Sequence, residues 1–220
     1  MYEKWNKLND NSKNDEKWIE ANTKKCPHCG QKIEKSRGGN YMLCDKRVGG
    51  CGHAFCYVCE TDWAKHSQDH FKCNKYTDAV KYKEKNANKI NQHDFYFSRY
   101  MNHKSAVEIV DTKIRNDIGE KITYLYTLKN LSLLEIQFIL DALETVIKGK
   151  KLLKNTYIFG YYMKDNNKKD YFEHEQGILQ YWTEELHRLL IDDHLNQIIQ
   201  EENFTIFSEF LQNYKNQLII

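Results

Sequence analysis

Cys26-Pro27-His28-Cys29 and Cys56-Tyr57-Val58-Cys59 are two C-x-x-C pairs. Two thiolates at that spacing can grip one metal ion from a tight turn, and structural zinc takes four sulfur or imidazole ligands in a tetrahedron. Each pair therefore needs two more ligands. Cys44 and Cys51 complete the first set, and His66 and Cys73 complete the second. The chain is thus expected to hold two zinc ions on Cys26, Cys29, Cys44, Cys51, Cys56, Cys59, His66 and Cys73. That set uses all 7 cysteines of the chain. Three histidines leave details open. His53, two residues after Cys51, can replace it, and His70 competes with His66, whose spacing to Cys59 and Cys73 is the better one. His28 lies inside a knuckle, where its ring is expected to face solvent. With every position filled by protein, no open coordination site remains for water or substrate, so the metals read as structural. Stripping them is expected to unfold a glycine-rich stretch that can bury little apolar surface.

The elements that must hold these ligands fall into three segments. Residues 1–25 are polar, with Trp5, Trp18 and Ile19 as their apolar points, and read as a linker or docking segment. Residues 26–73 carry all the cysteines and most of the glycines, and read as a small two-zinc module of short β-hairpins and loops. Residues 74–220 read as an all-α helical bundle. Ala79, Val80, Ala87 and Ile90 share a face of a helix starting near Asp78, and Phe95, Tyr96, Phe97, Tyr100 and Met101 extend it. Ile109, Ile114, Ile118 and Leu125 suggest another run. Ser132 and Glu135 have capping-box spacing ahead of Leu133, Ile136, Ile139, Leu140, Leu143 and Ile147. Tyr157, Phe159, Tyr161 and Tyr162 form an aromatic block. Leu179, Trp182, Leu186 and Leu190 make a further helix face, and Phe207, Phe210, Leu211 and Tyr214 a last one. These stripes read as core, not as a cofactor site.

Bulk properties exclude several functions. A net charge of +2, from 33 basic and 31 acidic residues, gives no general pull toward nucleic acid or a membrane surface. The zinc region has no dense basic stripe interleaved with aromatics, which makes a zinc-dependent nucleic-acid binder the weakest reading. No apolar run approaches the roughly 18 residues of a spanning helix, and no signal-peptide pattern opens the chain. Paired C-x-x-C spacing without such a signal points to reduced thiols in an intracellular, reducing compartment: cytoplasm, cytoskeleton or nucleus.

Several stretches carry a family resemblance. Trp18 to Cys29, then Ile33-Glu34-Lys35, Asn40-Tyr41-Met42-Leu43-Cys44 and Phe55 to Cys59 resemble the second RING, the catalytic module, of RING-between-RING ubiquitin ligases. Tyr100 to His103, Glu135 to Phe138, Thr156 to Phe159 and Phe172-Glu173 resemble the helical Ariadne domain of the ariadne subfamily. The resemblance runs from about Lys4 to the C-terminal helices. It implies a cysteine that accepts ubiquitin as a thioester, which needs a free thiolate. In this chain the nucleophile's position falls on Gly39, and that of the histidine two residues later on Tyr41. Glycine carries no acyl group. A phenol, whose ordinary pKa is about 10, is a poor base at neutral pH. The resemblance also starts at the linker before the second RING, so the first RING and the in-between RING are expected to be missing. It further implies that the Ariadne domain packs on the second RING. Glu184 is the candidate acidic contact, although by itself it reads as a solvated helix residue, and Ile109 and Val110 replace a neighbouring Phe-Glu pair.

Three readings follow. The preferred one is a catalytically inactive ariadne-type relative, a pseudoenzyme acting as a zinc-stabilised structural or adaptor subunit among other proteins, with ubiquitin or a related protein as a further candidate partner. The second is a genuine ubiquitin-transfer module, part of a longer ligase or using a rewired cysteine such as a Cys51 freed by His53. The nucleic-acid binder is the third.

Overall fold

A computed structural model describes residues 1–9, 23–35, 38–66, 72–76, 92–128, 130, 132–191, 209, 212, 213 and 216. The start of the helix expected near Asp78, with Ala79, Val80, Ala87 and Ile90, lies outside the described residues, as does the face of Phe207, Phe210, Leu211 and Tyr214. Helix α1 (Tyr2–Asn9) precedes two small hairpins. Strand β1 (Thr23–Lys25) pairs antiparallel with β2 (Lys32–Glu34), with Lys24 opposite Ile33. Strand β3 (Tyr41–Leu43) pairs antiparallel with β4 (Ala54–Cys56), with Met42 opposite Phe55. A one-turn helix α2 (Trp63–His66) and a 3-10 turn (Lys72–Asn74) follow. The bundle then comprises α3 (Gln92–Ile109), a π-helical turn (Val110–Ile114), α4 (Arg115–Leu128), α5 (Leu133–Tyr162) and α6 (Asn167–Ile191). A small hairpin module followed by helices is the architecture that the cysteine and glycine distribution implies. None of the described helices is long and apolar enough to cross a membrane.

Three apolar clusters hold these elements. The largest joins Ile114, Ile118 and Leu125 to Ile136, Ile139, Leu143 and Ile147 of α5 and to Leu186 and Leu190 of α6. Those side chains recur at three- and four-residue steps, so each helix presents one continuous face to the others. The five-residue π turn inserts one extra residue between α3 and α4, and both Val110 and Ile114 are buried. The second cluster is aromatic: Phe95, Tyr96 and Tyr100 of α3 pack with Tyr157 and Ile158 of α5. Trp5 enters it from α1 and is only 1% exposed, with ring centroids 5.6 Å from Tyr100 and 5.5 Å from Tyr161. Helix α1 is thus packed on the bundle through this indole, a role the polar composition of the segment hid. Within the expected stripes, Leu133 and Phe159 are exposed. Leu133 opens α5, a turn before its buried face begins at Ile136, and Phe159 packs its ring on Phe172 at the surface, 5.1 Å between centroids. The third cluster, Met42, Phe55 and Tyr57 with Cys26 and Cys44, is the small core of the cysteine module.

Candidate metal centres and the seam beside them

Each C-x-x-C pair sits in its own turn, and the two turns have the same hydrogen-bond pattern. In the first, the Gly30 N–H donates to Cys26 O at 2.9 Å, and the Cys26 N–H to Gln31 O at 2.8 Å. In the second, the Glu60 N–H donates to Cys56 O at 2.8 Å, and the Cys56 N–H to Thr61 O at 2.9 Å. The residue after each second cysteine is left-handed: Gly30 at φ 76° and Glu60 at φ 63°. Glycine accepts that conformation freely; Glu60 takes it at a cost and is held by Lys24, whose ammonium lies 2.9 Å from its carboxylate. A second loop closes over the first pair, the Gly52 N–H donating to Cys44 O at 2.7 Å and the Cys44 N–H to His53 O at 2.9 Å.

These turns bring the thiols into two groups, Cys26–Cys29–Cys44–Cys51 and Cys56–Cys59–Cys73, each with its sulfurs within 4.8 Å of one another. The Cys26 and Cys51 sulfurs are 3.8 Å apart, and those of Cys29 and Cys44 3.6 Å. A zinc tetrahedron with bonds of about 2.3 Å has sulfur–sulfur edges of about 3.8 Å. The donor set and its spacing therefore fit two zinc ions. The exposed Cys29 thiol is drawn down to about 7, first by a backbone hydrogen bond from Gln31, which favours the thiolate a metal needs. His66 ends α2 three residues after Trp63, but its side chain, like all of His70, lies outside the described residues. His53 stacks on His28 at 5.5 Å and on Phe55 at 6.2 Å, while Cys51 sits in the four-sulfur group.

The loop between the hairpins, residues 38–40, is buried against the bundle. Gly38 has φ 74°, and a Cβ there would meet Ala106 O and Val110 Cγ2, both at 3.1 Å, and Ile109 Cβ at 3.5 Å. A Cβ on Gly39 would meet Glu184 Oε2 at 3.3 Å and His187 Nδ1 at 3.5 Å. The Asn40 N–H donates to Glu184 Oε2 at 2.7 Å, and Lys150 of α5 donates to Glu184 Oε1 at 2.8 Å. The Glu184 side chain is 10% exposed and that of Lys150 is fully buried. The solvated reading of Glu184 is thus replaced by an ion-paired residue joining the bundle to the cysteine module. Tyr41 points elsewhere, its ring edge-on to Trp63 at 5.1 Å.

A buried polar seam continues from there. Lys35 donates to Asn102 Oδ1 and, at 3.4 Å, to Asn40 Oδ1, which also accepts from Asn102 Nδ2 at 2.9 Å. Burial, opposed by the charge of Glu184, pushes the Lys35 amine down to about 7. The imidazoles of His103 and His187 are held well below the usual histidine value, first by burial and then by the charges of Lys150 and Lys35. His187 also borders an open cleft of about 430 Å³ whose walls include Gly39, Tyr41, Glu184 and Arg188. Lys150 and His187 escaped sequence reasoning, and Lys35, Asn40, Asn102 and His103 entered it only within the stretches of family resemblance, with no contact assigned to them. Periodicity reports apolar faces, and nothing in the order of residues links Asn40 to a glutamate 144 positions away.

Comparison with known proteins adds to this geometry. Residues 21–75 match the IBR domain family. The chain is 31% identical to the E3 ubiquitin-protein ligase ariadne-1 of Drosophila melanogaster over 215 residues, covering 96% of this chain and 41% of that protein. It is 32% identical to the probable E3 ubiquitin-protein ligase rbrA of Dictyostelium discoideum over 223 residues, 96% of this chain and 42% of that one. It is 33% identical to the E3 ubiquitin-protein ligase dbl4 of Schizosaccharomyces pombe over 177 residues, 78% and 34%. The chain thus spans less than half the length of each of these relatives.

Proposed function

Since the chain is a relative of the ariadne-type RING-between-RING ubiquitin ligases, we propose that it is a catalytically inactive member of that group, serving as a zinc-stabilised structural or adaptor subunit among other proteins. One observation carries this reading: all 7 cysteines lie in the two metal groups, 4 in one and 3 in the other, which leaves no thiol to accept an acyl group. The position the resemblance gives to the nucleophile is Gly39, and the Glu184 carboxylate and the His187 ring close over it. Tyr41 stands where a histidine would serve as base, and its ring is turned to Trp63. In this reading the contact between the loop and the bundle serves to keep two modules in one rigid body that presents its surface to partners. The module 26–73 and the bundle 74–220 are the two functional parts, and the histidine completing the second zinc site is His66.

The test is discharge of a ubiquitin-loaded conjugating enzyme by the purified, zinc-loaded chain. The expected result is no reductant-sensitive ubiquitin adduct on this chain. An adduct of that kind would overturn the reading. The names of the relatives favour a second reading, a ubiquitin-transfer module working within a longer protein or through a released cysteine. It predicts the same adduct, and a zinc stoichiometry below two ions per chain would further favour a released cysteine.

A further inference from the structure

The second cysteine group is completed from outside its own module. Arg99 of α3 is only 6% exposed, and two arms of its guanidinium donate to the carbonyl oxygen of Cys73, Nε at 3.0 Å and Nη2 at 2.7 Å. Its third arm donates to Phe95 O at 3.2 Å, and its plane lies 3.4 Å over the Phe95 ring. Asn74, the next residue after Cys73, accepts the Tyr157 hydroxyl of α5 at 2.9 Å. The last cysteine ligand is therefore clamped by two helices of the bundle. The first group is served by its own loop, where the Cys51 N–H donates to Cys44 Sγ at 3.3 Å.

A guanidinium does not shed its proton in a protein, so its burial calls for negative charge close by. Among the described residues no carboxylate forms an ion pair with Arg99. The three sulfurs of the second group act on the guanidinium in the sense of opposite charge, and three thiolates with Zn²⁺ bound would sum to −1, whatever neutral group takes the fourth place.

We propose that Arg99 is a positioning residue of the second metal centre, the buried cation that balances its three thiolates and fixes Cys73, so that this zinc ion joins the cysteine module to the helical bundle. The inference rests on the two-zinc reading of the cysteine groups. It makes the two ions unequal. The first holds a loop together. The second is part of the interface, and its loss loosens the helices that grip Cys73.

The experiment uses the zinc-loaded full chain against a chromophoric chelator, with alkylation and peptide mass spectrometry reporting which cysteines are released. Partners beyond the direct ligands commonly contribute 10–100-fold to metal affinity. Arg99→Met is expected to weaken zinc at Cys56, Cys59 and Cys73 by about that factor and to leave Cys26, Cys29, Cys44 and Cys51 as in the parent. Arg99→Lys keeps the charge but loses the two-pronged grip, and is expected to fall between. Should the methionine variant not fold, hydrogen exchange on the parent chain decides. Withdrawing one equivalent of zinc from the second site is expected to raise exchange around Arg99 and Tyr157 and to leave α4 protected. Parent-like release from both sites in Arg99→Met, or no response of α3 to the loss of that ion, overturns the proposal. A parent chain that binds fewer than two zinc ions would instead refute the metal reading beneath it.

Discussion

Replacing Glu184 by glutamine separates charge from shape at the seam. Glutamine keeps an oxygen for the Asn40 N–H, which now donates to Oε2 at 2.7 Å. What it removes is the negative partner of Lys150, an ammonium with a fully buried side chain, 2.8 Å from Oε1. The charge of Lys35 adds to that of Lys150 in the same region, and among the described residues Glu184 is the carboxylate that pairs with Lys150. Breaking a buried pair and leaving one charge behind costs about 3–5 kcal/mol. For a chain of this size each kcal/mol lowers the melting temperature by about 2–4 °C. A drop of roughly 6–20 °C is therefore expected in thermal melts followed by circular dichroism, given the coefficients above. Amide exchange should rise first at residues 38–44, where the loop meets the bundle. Lys150→Met combined with Glu184→Gln removes both charges and should recover most of the loss, which makes the double-mutant cycle the decisive arm. A single Glu184→Gln that melts within 1–2 °C of the parent would refute the reasoning, since the pair would then be no more than a solvated contact.

Other consequences follow from the same geometry. Gly39→Cys is expected to fold, because its Cβ would meet only side-chain atoms at 3.3 Å and beyond, whereas Gly38→Ala should lose about 1–3 kcal/mol at φ 74° against a backbone carbonyl at 3.1 Å; urea melts of the two variants compare them. Stability should rise with pH between about 7 and 10.5, because Lys35 sheds its proton near 7 in the folded protein but near 10.5 when unfolded, so the unfolded chain binds more protons across that window. It should fall again below pH 6.5 as the unfolded chain takes up protons that buried His103 and His187 resist, and Lys35→Met should flatten the upper limb in melts recorded across pH. Glu60→Gly relieves a left-handed residue at φ 63° but gives up the ion pair to Lys24, so its thermal midpoint should shift by no more than a few degrees, unlike Gly30→Val, which should weaken zinc at the first site.

The parts legible in the sequence were those with a short-range code. Cysteine spacing identified both metal groups, because a C-x-x-C turn is built from adjacent residues. The switch from glycine-rich loops to three- and four-residue apolar steps separated the hairpin module from the helices. The resemblance pointed to Glu184 as a contact, although taken alone it looked like any charged residue on a helix. The rest was hidden because it depends on pairing across distance. Trp5 sits in a polar segment, and nothing local shows that α3 and α5 offer it an aromatic cage. Lys35, Lys150 and Arg99 have the composition of surface residues and become structural only where Asn102, Glu184 and Cys73 meet them. The π turn at Val110–Ile114 adds a residue that a 3.6-residue period does not register.

In the proposed reading every thiol of this chain is committed to metal. Native mass spectrometry after brief alkylation of the freshly purified chain decides this. A single species carrying two zinc ions and no alkylated cysteine is expected. A chain with one alkylated cysteine alongside its zinc, above all Cys51 with His53 in its place, would contradict it and return a nucleophile to the protein.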